Sequence, residues 1–367
     1  MSTHRLYEIA LTQIKGVGDI TARQLLAACG SAEAIFKEKK QLLEKIPRIG
    51  STITNEIFRA DVLSRATEEL NFVEKNKIQT YFIDDAAYPK RLKECEDAPM
   101  LLYYKGNGAL ERKRIISIVG TRKITPYGVD LTEQLLKGLS EALPELLVVS
   151  GLAYGVDIAA HRSALKNNLD TVAVLAHGLD RIYPAVHRNT AVEMLEHGGL
   201  LTDFTSQTTP DKQNFIKRNR IVAGLSDATI VIESAEKGGS LITSDIAFSY
   251  GRDVYAFPGR TNDMASKGCN DLIRQNKAGL ITSAEDLIMA LCWDLEEKKK
   301  EAVQTTLYFD LTTEQQQVMA LIETEDQRID ELAELLKLPI HELSATLFDL
   351  EMRGMIKNMP GGIYRVV

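Results

Sequence analysis

The sequence lacks most of the features that would fix a chemistry at once. No run approaches the ~18 apolar residues of a membrane span, and the opening MSTHRLYEIALTQ has no basic stretch followed by an apolar core. Neither membrane insertion nor secretion is therefore expected. Cysteine is scarce: Cys29, Cys95, Cys269 and Cys292 stand far apart, with no CxxC pair and no disulfide-scaffold density. A reducing, cytoplasmic setting is the expectation. The 6 histidines are equally scattered, with no HExxH and no ligand-like cluster, so no metal is expected. The chain also lacks a Walker A GxxxxGK[ST], a GxGxxG dinucleotide fingerprint and a GxSxG nucleophile elbow. No cofactor is expected, and ATP-driven work would belong to another protein.

An excess of positive charge is missing too. The formal net charge is −7, which at first argues against a polyanion as ligand. The distribution softens this. Residues 301–367 carry 12 acidic and 5 basic side chains, while the other 300 balance at 39 of each. Binding needs a local basic surface, and whole-chain charge hides one.

What is present is enough chain, 367 residues, for two or three domains. Residues 1–65 read as short helices. Ile14-Lys15-Gly16-Val17-Gly18 and Ile46-Pro47-Arg48-Ile49-Gly50 lie 32 residues apart and resemble helix-hairpin-helix or SAM-like turns. Their glycines either let backbone approach a phosphate or merely turn a small bundle. Residues 66–110 read as a connecting region packed on the next domain. From 111 to 290 the grammar changes: RIISIVG, LLVVSG, TVAVLAHG, ATIVIES, DVYAFPG and AGLIT are short apolar runs separated by helical segments. Such runs predict an α/β, Rossmann-like, doubly wound and mainly parallel sheet covered on both faces. Its ligand crevice belongs at the carboxyl ends of the strands. A charged linker over 291–304 and a winged-helix-like domain over 305–367 complete the plan. The expected recognition helix of that last domain, about 340–352, carries His341, Glu342, Asp349 and Glu351. Carboxylates repel phosphate, so a protein-interaction or structural module is the preferred expectation there, ahead of a DNA contact.

Four segments could line the crevice. In SIVGTRKITPYG, Gly120 ends a strand, and Thr121, Arg122 and Lys123 could cradle a phosphate. In VVSGLAYGVDIAAH, Ser150 and Gly151 follow a strand, while Gly155, Asp157 and His161 read as loop-positioning residues rather than catalytic ones. In NFIKRNRIVAGLS, Phe215, Lys217, Arg218, Asn219 and Arg220 crowd together at an expected helix start, where early N–H groups would join them on an anion. In ESAEKGGSLIT, Lys237, Gly238, Gly239 and Ser240 suggest an amide-rich nest after Glu233. Ser266, Lys267 and Asn270 in SKGCNDLI are rim candidates. Each loop alone has a bland reading as a turn or a solvated helix end. Several converging on one crevice suggest an extended ligand.

Taken in order, VGTR, SGLAYGVDIAAH, NFIKRNRIVAGLSDATIVIESAEKGGSLIT, GRDVYAFPG and SKGCNDLI resemble the DprA/Smf family of bacterial DNA-processing proteins over about 110–290. The resemblance implies a Rossmann-like domain that binds single-stranded DNA without a sequence code. It implies protection of incoming strands in natural transformation, loading of the RecA recombinase, and a homodimer formed through the central domain. Arg122 matches the arginine of the family's GSR-like loop, here Gly120-Thr121-Arg122. Arg218, Asn219 and Arg220 match its basic segment. Two departures stand out: Thr202-Asp203-Phe204-Thr205 replaces a serine-glutamate-x-proline stretch, and Phe215-Ile216 replaces a phenylalanine-proline pair. A nucleotide or nucleoside-monophosphate hydrolase remains the enzymatic alternative, and a compact carboxylate-centred site beside the phosphate loops would favour it. A ligand-sensing interaction scaffold is the third reading.

Overall fold

A computed structural model describes residues 3–293, 311–324, 327–359 and 362–366. The expected linker from 294 onward and the turn at Pro360 and Gly361 lie outside the described residues. Two compact units emerge, Met1–Leu295 and Glu296–Val367.

The first unit opens with helices α1 (Thr3–Thr12), α2 (Asp19–Cys29), α3 (Ala32–Lys37), α4 (Lys40–Leu43), α5 (Ser51–Ile57) and α6 (Ala60–Lys75). The two glycine turns are built alike. Val17 N–H donates to Ile14 O and Ile49 N–H to Ile46 O. Gly18 and Gly50 then open α2 and α5 from extended backbone, with no side-chain cap. The first turn nevertheless faces protein. Asp19, at the start of α2, accepts from Met100 N–H at 3.0 Å and pairs with Arg220 at 3.1 Å. A phosphate would meet a carboxylate there.

Strands β1 (Gln79–Phe82), β2 (Leu101–Gly106), β3 (Ile115–Val119), β4 (Leu147–Ser150), β5 (Asp170–Val174), β6 (Gly198–Thr202), β7 (Ala228–Val231), β8 (Asp253–Ala256) and β9 (Gly279–Leu280) form one sheet. Its order is β1-β2-β6-β5-β4-β3-β7-β8-β9. The strands from β6 to β9 in that order run parallel, and β1 and β2 add an antiparallel edge. Residues 66–110 therefore do more than connect: they extend the sheet, and α6 runs straight across the boundary expected at 65. The sheet also contains β6, which apolar patterning alone does not reveal.

Neighbouring strand residues alternate between two cores, as the pleat requires. Ile115 and Val119 pack on one face with Ile221, Val222 and Leu225 of α11 (Lys212–Leu225) and Ala247 of α12 (Gly239–Ser249). Ile116 and Ile118 pack on the other, with Leu136 and Leu139 of α8 (Pro126–Ala142) and Ala160 and Ala164 of α9 (Val156–Lys166). Helices thus cover both faces, and the apolar runs are continuous because each residue is buried one way or the other. The chain leaves β3 toward β4 and β5, and later returns beside β3 as β7. That reversal opens a crevice at the carboxyl ends of β3, β4 and β7.

The second unit holds α15 (Thr313–Thr324), α16 (Ile329–Leu336) and α17 (Ile340–Met352), with a three-stranded sheet of Gln327–Arg328, Ile356–Met359 and Ile363–Val366. Val318, Leu332, Leu343, Leu347 and Leu350 form its core. This is a winged-helix-like arrangement, and α17 occupies the expected recognition-helix span.

Candidate nucleic-acid interface

The crevice is a cavity of about 690 Å³. Three loops and one helix face supply most of its lining. After β3 come Gly120, Thr121 and Arg122; after β4, Gly151, Ala153 and Asp157; after β7, Ser234 through Thr243; and α11 contributes Lys212, Phe215, Ile216, Arg218, Asn219 and Val222. The α11 residues recur at helical spacing and so share one face.

The loops are held from beneath. Thr121 N–H donates to Glu233 O at 2.8 Å, and Val156 N–H donates to Thr121 O at 3.1 Å, which fixes the backbone that carries Arg122. Gly155 makes this possible. Its φ is +77, and a Cβ there would lie 2.1 Å from Thr121 O. Arg218 is 4% exposed and forms the floor. It donates to Gly151 O at 2.7 Å and also to Val174 O. A Cβ on Gly151 would lie 2.3 Å from that guanidinium. Burial pulls the pKa of Arg218 down to about 10, against the field of Asp157. Asp157 accepts from Ala153 N–H at 3.3 Å, and burial raises its pKa despite Arg218 nearby.

Three cations on the cavity wall are exposed: Arg122, Lys212 and Lys237. None forms a salt bridge among the described residues. Arg122 instead lies 5.1 Å from the centre of the Phe215 ring, which itself leans on Tyr183 at 6.1 Å. The acids of the wall are already engaged. Asp211 caps α11 by accepting from Asn214 N–H at 2.8 Å, and Asp157 holds its own loop. The N-terminus of α12 has Gly238 as its N-cap and no side-chain cap, and Gly238, Gly239 and Ser240 line the cavity alongside Lys237. Unpaired cations, free helix-end amides and an aromatic platform are the parts that hold a sugar-phosphate strand with its bases.

Residues 79–292 match the family described as DNA recombination-mediator protein A, and residues 303–362 match the DprA winged helix domain. The chain belongs to the DprA/Smf family. It is 35% identical to the DNA processing protein DprA of Streptococcus pneumoniae over 274 residues, which is 69% of this chain and 96% of that one. It is 29% identical to the protein Smf of Synechocystis over 99% of both chains. The X-ray structure of the S. pneumoniae protein superposes with a TM-score of 0.68 at 33% identity, covering 78% of this chain and 97% of that one. The DprA of Helicobacter pylori, whose structure is described as giving a single-stranded DNA binding mode, superposes at 0.53 with 30% identity, covering 60% and 98%. Single-stranded DNA binding, recombination mediation and loading of RecA are typical of DprA/Smf proteins.

Among the residues singled out in sequence, Gly120, Thr121, Arg122, Gly151, Asp157, Phe215, Arg218, Asn219, Lys237, Gly238, Gly239 and Ser240 all reach this one cavity. Others do not line it. Arg220 points the opposite way and is 6% exposed. It pairs with Asp203 at 2.7 Å and Asp19 at 3.1 Å, and it donates to Asp97 O. It ties α2 and the loop after β6 to α11, so its charge is already spent on protein carboxylates. Lys217 is exposed but turns to Asp203 at 3.6 Å and the Phe204 ring at 5.3 Å. Ser150 is buried and donates to Ile118 O at 2.6 Å. Ser266 donates to Asp263 at 3.1 Å, Asn270 bridges the backbone of Gly259, and Lys267 pairs with Glu236 at 2.9 Å. Lys123 is exposed beside the cavity without lining it.

His161 does not meet Asp157. Its Nδ1 lies 2.7 Å from Thr171 Oγ1, and that hydroxyl donates to Val148 O at 3.0 Å. The one hydroxyl proton is thus committed, so Nδ1 carries the proton and donates. Burial pushes the His161 pKa down to about 3, keeping the ring neutral. The basic segment also differs from expectation in place: α11 starts at Lys212, so Lys217 to Arg220 lie in its second and third turns rather than at its amides. Lys212, Asp211 and Tyr183 were not singled out in sequence. A TTPD cap signal, and the loop after β5, held the information needed to find them.

Proposed function

We propose that this chain binds single-stranded DNA, independently of base sequence, in the cavity at the carboxyl ends of β3, β4 and β7. One observation carries the reading: Arg122, Lys212 and Lys237 stand unpaired, among the described residues, around a single cavity that also holds Phe215 and the open end of α12. The cations and amides take successive phosphates, and Phe215 and Tyr183 offer ring faces to bases. The protein acts without catalysis, protecting incoming strands in transformation and handing them to RecA in the cytoplasm. It works as a homodimer formed through the sheet-bearing unit. The carboxylate that an enzymatic reading would want beside the phosphate loops is otherwise occupied. Glu233 is buried and accepts from both Thr125 N–H, at 2.9 Å, and Thr125 Oγ1–H.

The winged-helix-like unit takes a protein partner rather than DNA. On α17, Phe348 is 65% exposed and Met352 72% exposed, one turn apart, among Glu342 and Glu351. Acidic and apolar surface suits a protein and repels phosphate. Titration with fluorescent single-stranded and matched double-stranded oligonucleotides at several salt concentrations tests both statements. Single strands bind more tightly, with affinity falling as salt rises, and removing 301–367 changes that affinity by less than about threefold. Absence of binding at low salt by folded protein, or near-total loss on truncation, contradicts the assignment.

A further inference from the structure

A second trough of about 690 Å³ opens at the same edge of the sheet, lined by Tyr127, Pro258, Gly259, Arg260, Asn262 and Asp263. It follows β3 and β8 as the first cavity follows β3, β4 and β7, and hydrogen bonds tie together the segments that carry the two linings. Thr125, the cap of α8, donates through its N–H and hydroxyl to Glu233, next to the Ser234 that lines the first cavity. From the other side Gly268 N–H donates to Ser234 O at 2.7 Å.

The trough has its own chemistry. Arg260 is exposed and forms no salt bridge among the described residues. Tyr127 is 48% exposed, and its hydroxyl donates to Pro258 O at 3.3 Å, which pins the ring while leaving surface open. The acid present is committed: Asp263 accepts from Ala265 N–H at 3.0 Å and Ser266 Oγ at 3.1 Å. A free guanidinium beside a fixed aromatic ring is the pairing that holds one phosphate and one stacked base.

We infer that this trough is a second nucleotide subsite, where a strand leaving the first cavity places a phosphate on Arg260 and a base on Tyr127. The inference rests on the single-stranded DNA reading and extends its footprint toward β8.

Its test uses the full chain with fluorescent oligodeoxythymidylates of about 5 and about 25 nucleotides, a range that brackets typical site sizes. Arg260→Ala and Tyr127→Ala each lower affinity for the longer strand about fivefold to tenfold and leave the shorter one unchanged. Arg260→Ala also reduces the salt slope for the longer strand by about 0.7. Unchanged binding of the longer strand by both variants overturns the subsite, as does an equal loss at both lengths. Failure of the unaltered protein to bind either strand overturns the underlying reading and this inference with it. Arg260 is exposed, so its replacement leaves the fold intact, and Arg260→Lys recovers the salt slope.

Discussion

Replacing Arg122, Lys212 and Lys237 together by alanine lowers single-strand affinity by about two orders of magnitude near 0.1 M salt. The magnitude follows from counterion release. Each phosphate contact on a single strand contributes about 0.7 to the slope of log affinity against log salt. At 0.1 M that is about 0.7 log unit per contact, or roughly a hundredfold for three. The slope itself shallows by about 2. The fold is unaffected, because all three side chains are exposed and none holds another element by a salt bridge among the described residues. Fluorescence anisotropy over a salt series reads both numbers. An unchanged slope in the folded triple variant places the phosphates elsewhere.

Arg220→Ala gives the opposite pattern, a loss of stability rather than of a ligand contact. Arg220 and Asp203 are both buried and lie 2.7 Å apart, with Asp19 sharing the guanidinium. Truncating the arginine leaves the buried Asp203 carboxylate with only the exposed Lys217, 3.6 Å away, as a cation partner among the described residues. Breaking a buried pair in this way costs about 3–5 kcal/mol. The urea midpoint of the variant therefore drops, while the protein that remains folded keeps its salt slope. Arg220→Ala combined with Asp203→Ala recovers part of the loss, because the most deeply buried carboxylate is then gone, while Asp19, which is less buried, still lacks the guanidinium. A stable single variant with weakened DNA binding contradicts this account of Arg220.

Arg218 and Arg220 sit two residues apart in one sequence motif and have different work. Charge alone does not separate them. What separates them is the helical period counted from the true start of α11: Lys212, Phe215, Arg218, Asn219 and Val222 fall on the cavity face, and Arg220 falls off it. The Asp211 cap fixes that start, and the sequence Thr-Thr-Pro-Asp carries it.

The parallel strands were legible because residues buried on both faces leave unbroken apolar runs. Strand β6 was not, because Gly198-Gly199 reads as a turn. In the sheet the same glycines permit close approach. A Cβ on Gly198 would lie 2.0 Å from Thr171 O, and one on Gly199 would lie 2.6 Å from Lys105 O and 2.7 Å from the Tyr104 ring. Only the neighbouring strands supply that reason. The glycine loops of the site were readable one by one. Their convergence came from strand order, with β7 returning beside β3. The rim residues of SKGCNDLI misled because their polar groups close the loop on itself, a pattern that residue type does not distinguish from a ligand contact.

The most direct measurement is photo-crosslinking of the full chain to a single-stranded oligonucleotide carrying bromodeoxyuridine, with the attachment sites mapped by mass spectrometry. The account predicts attachment at Phe215 or Tyr183, the ring pair within the cavity. Attachment confined to the helices before residue 76 or to residues 311–366 would contradict it.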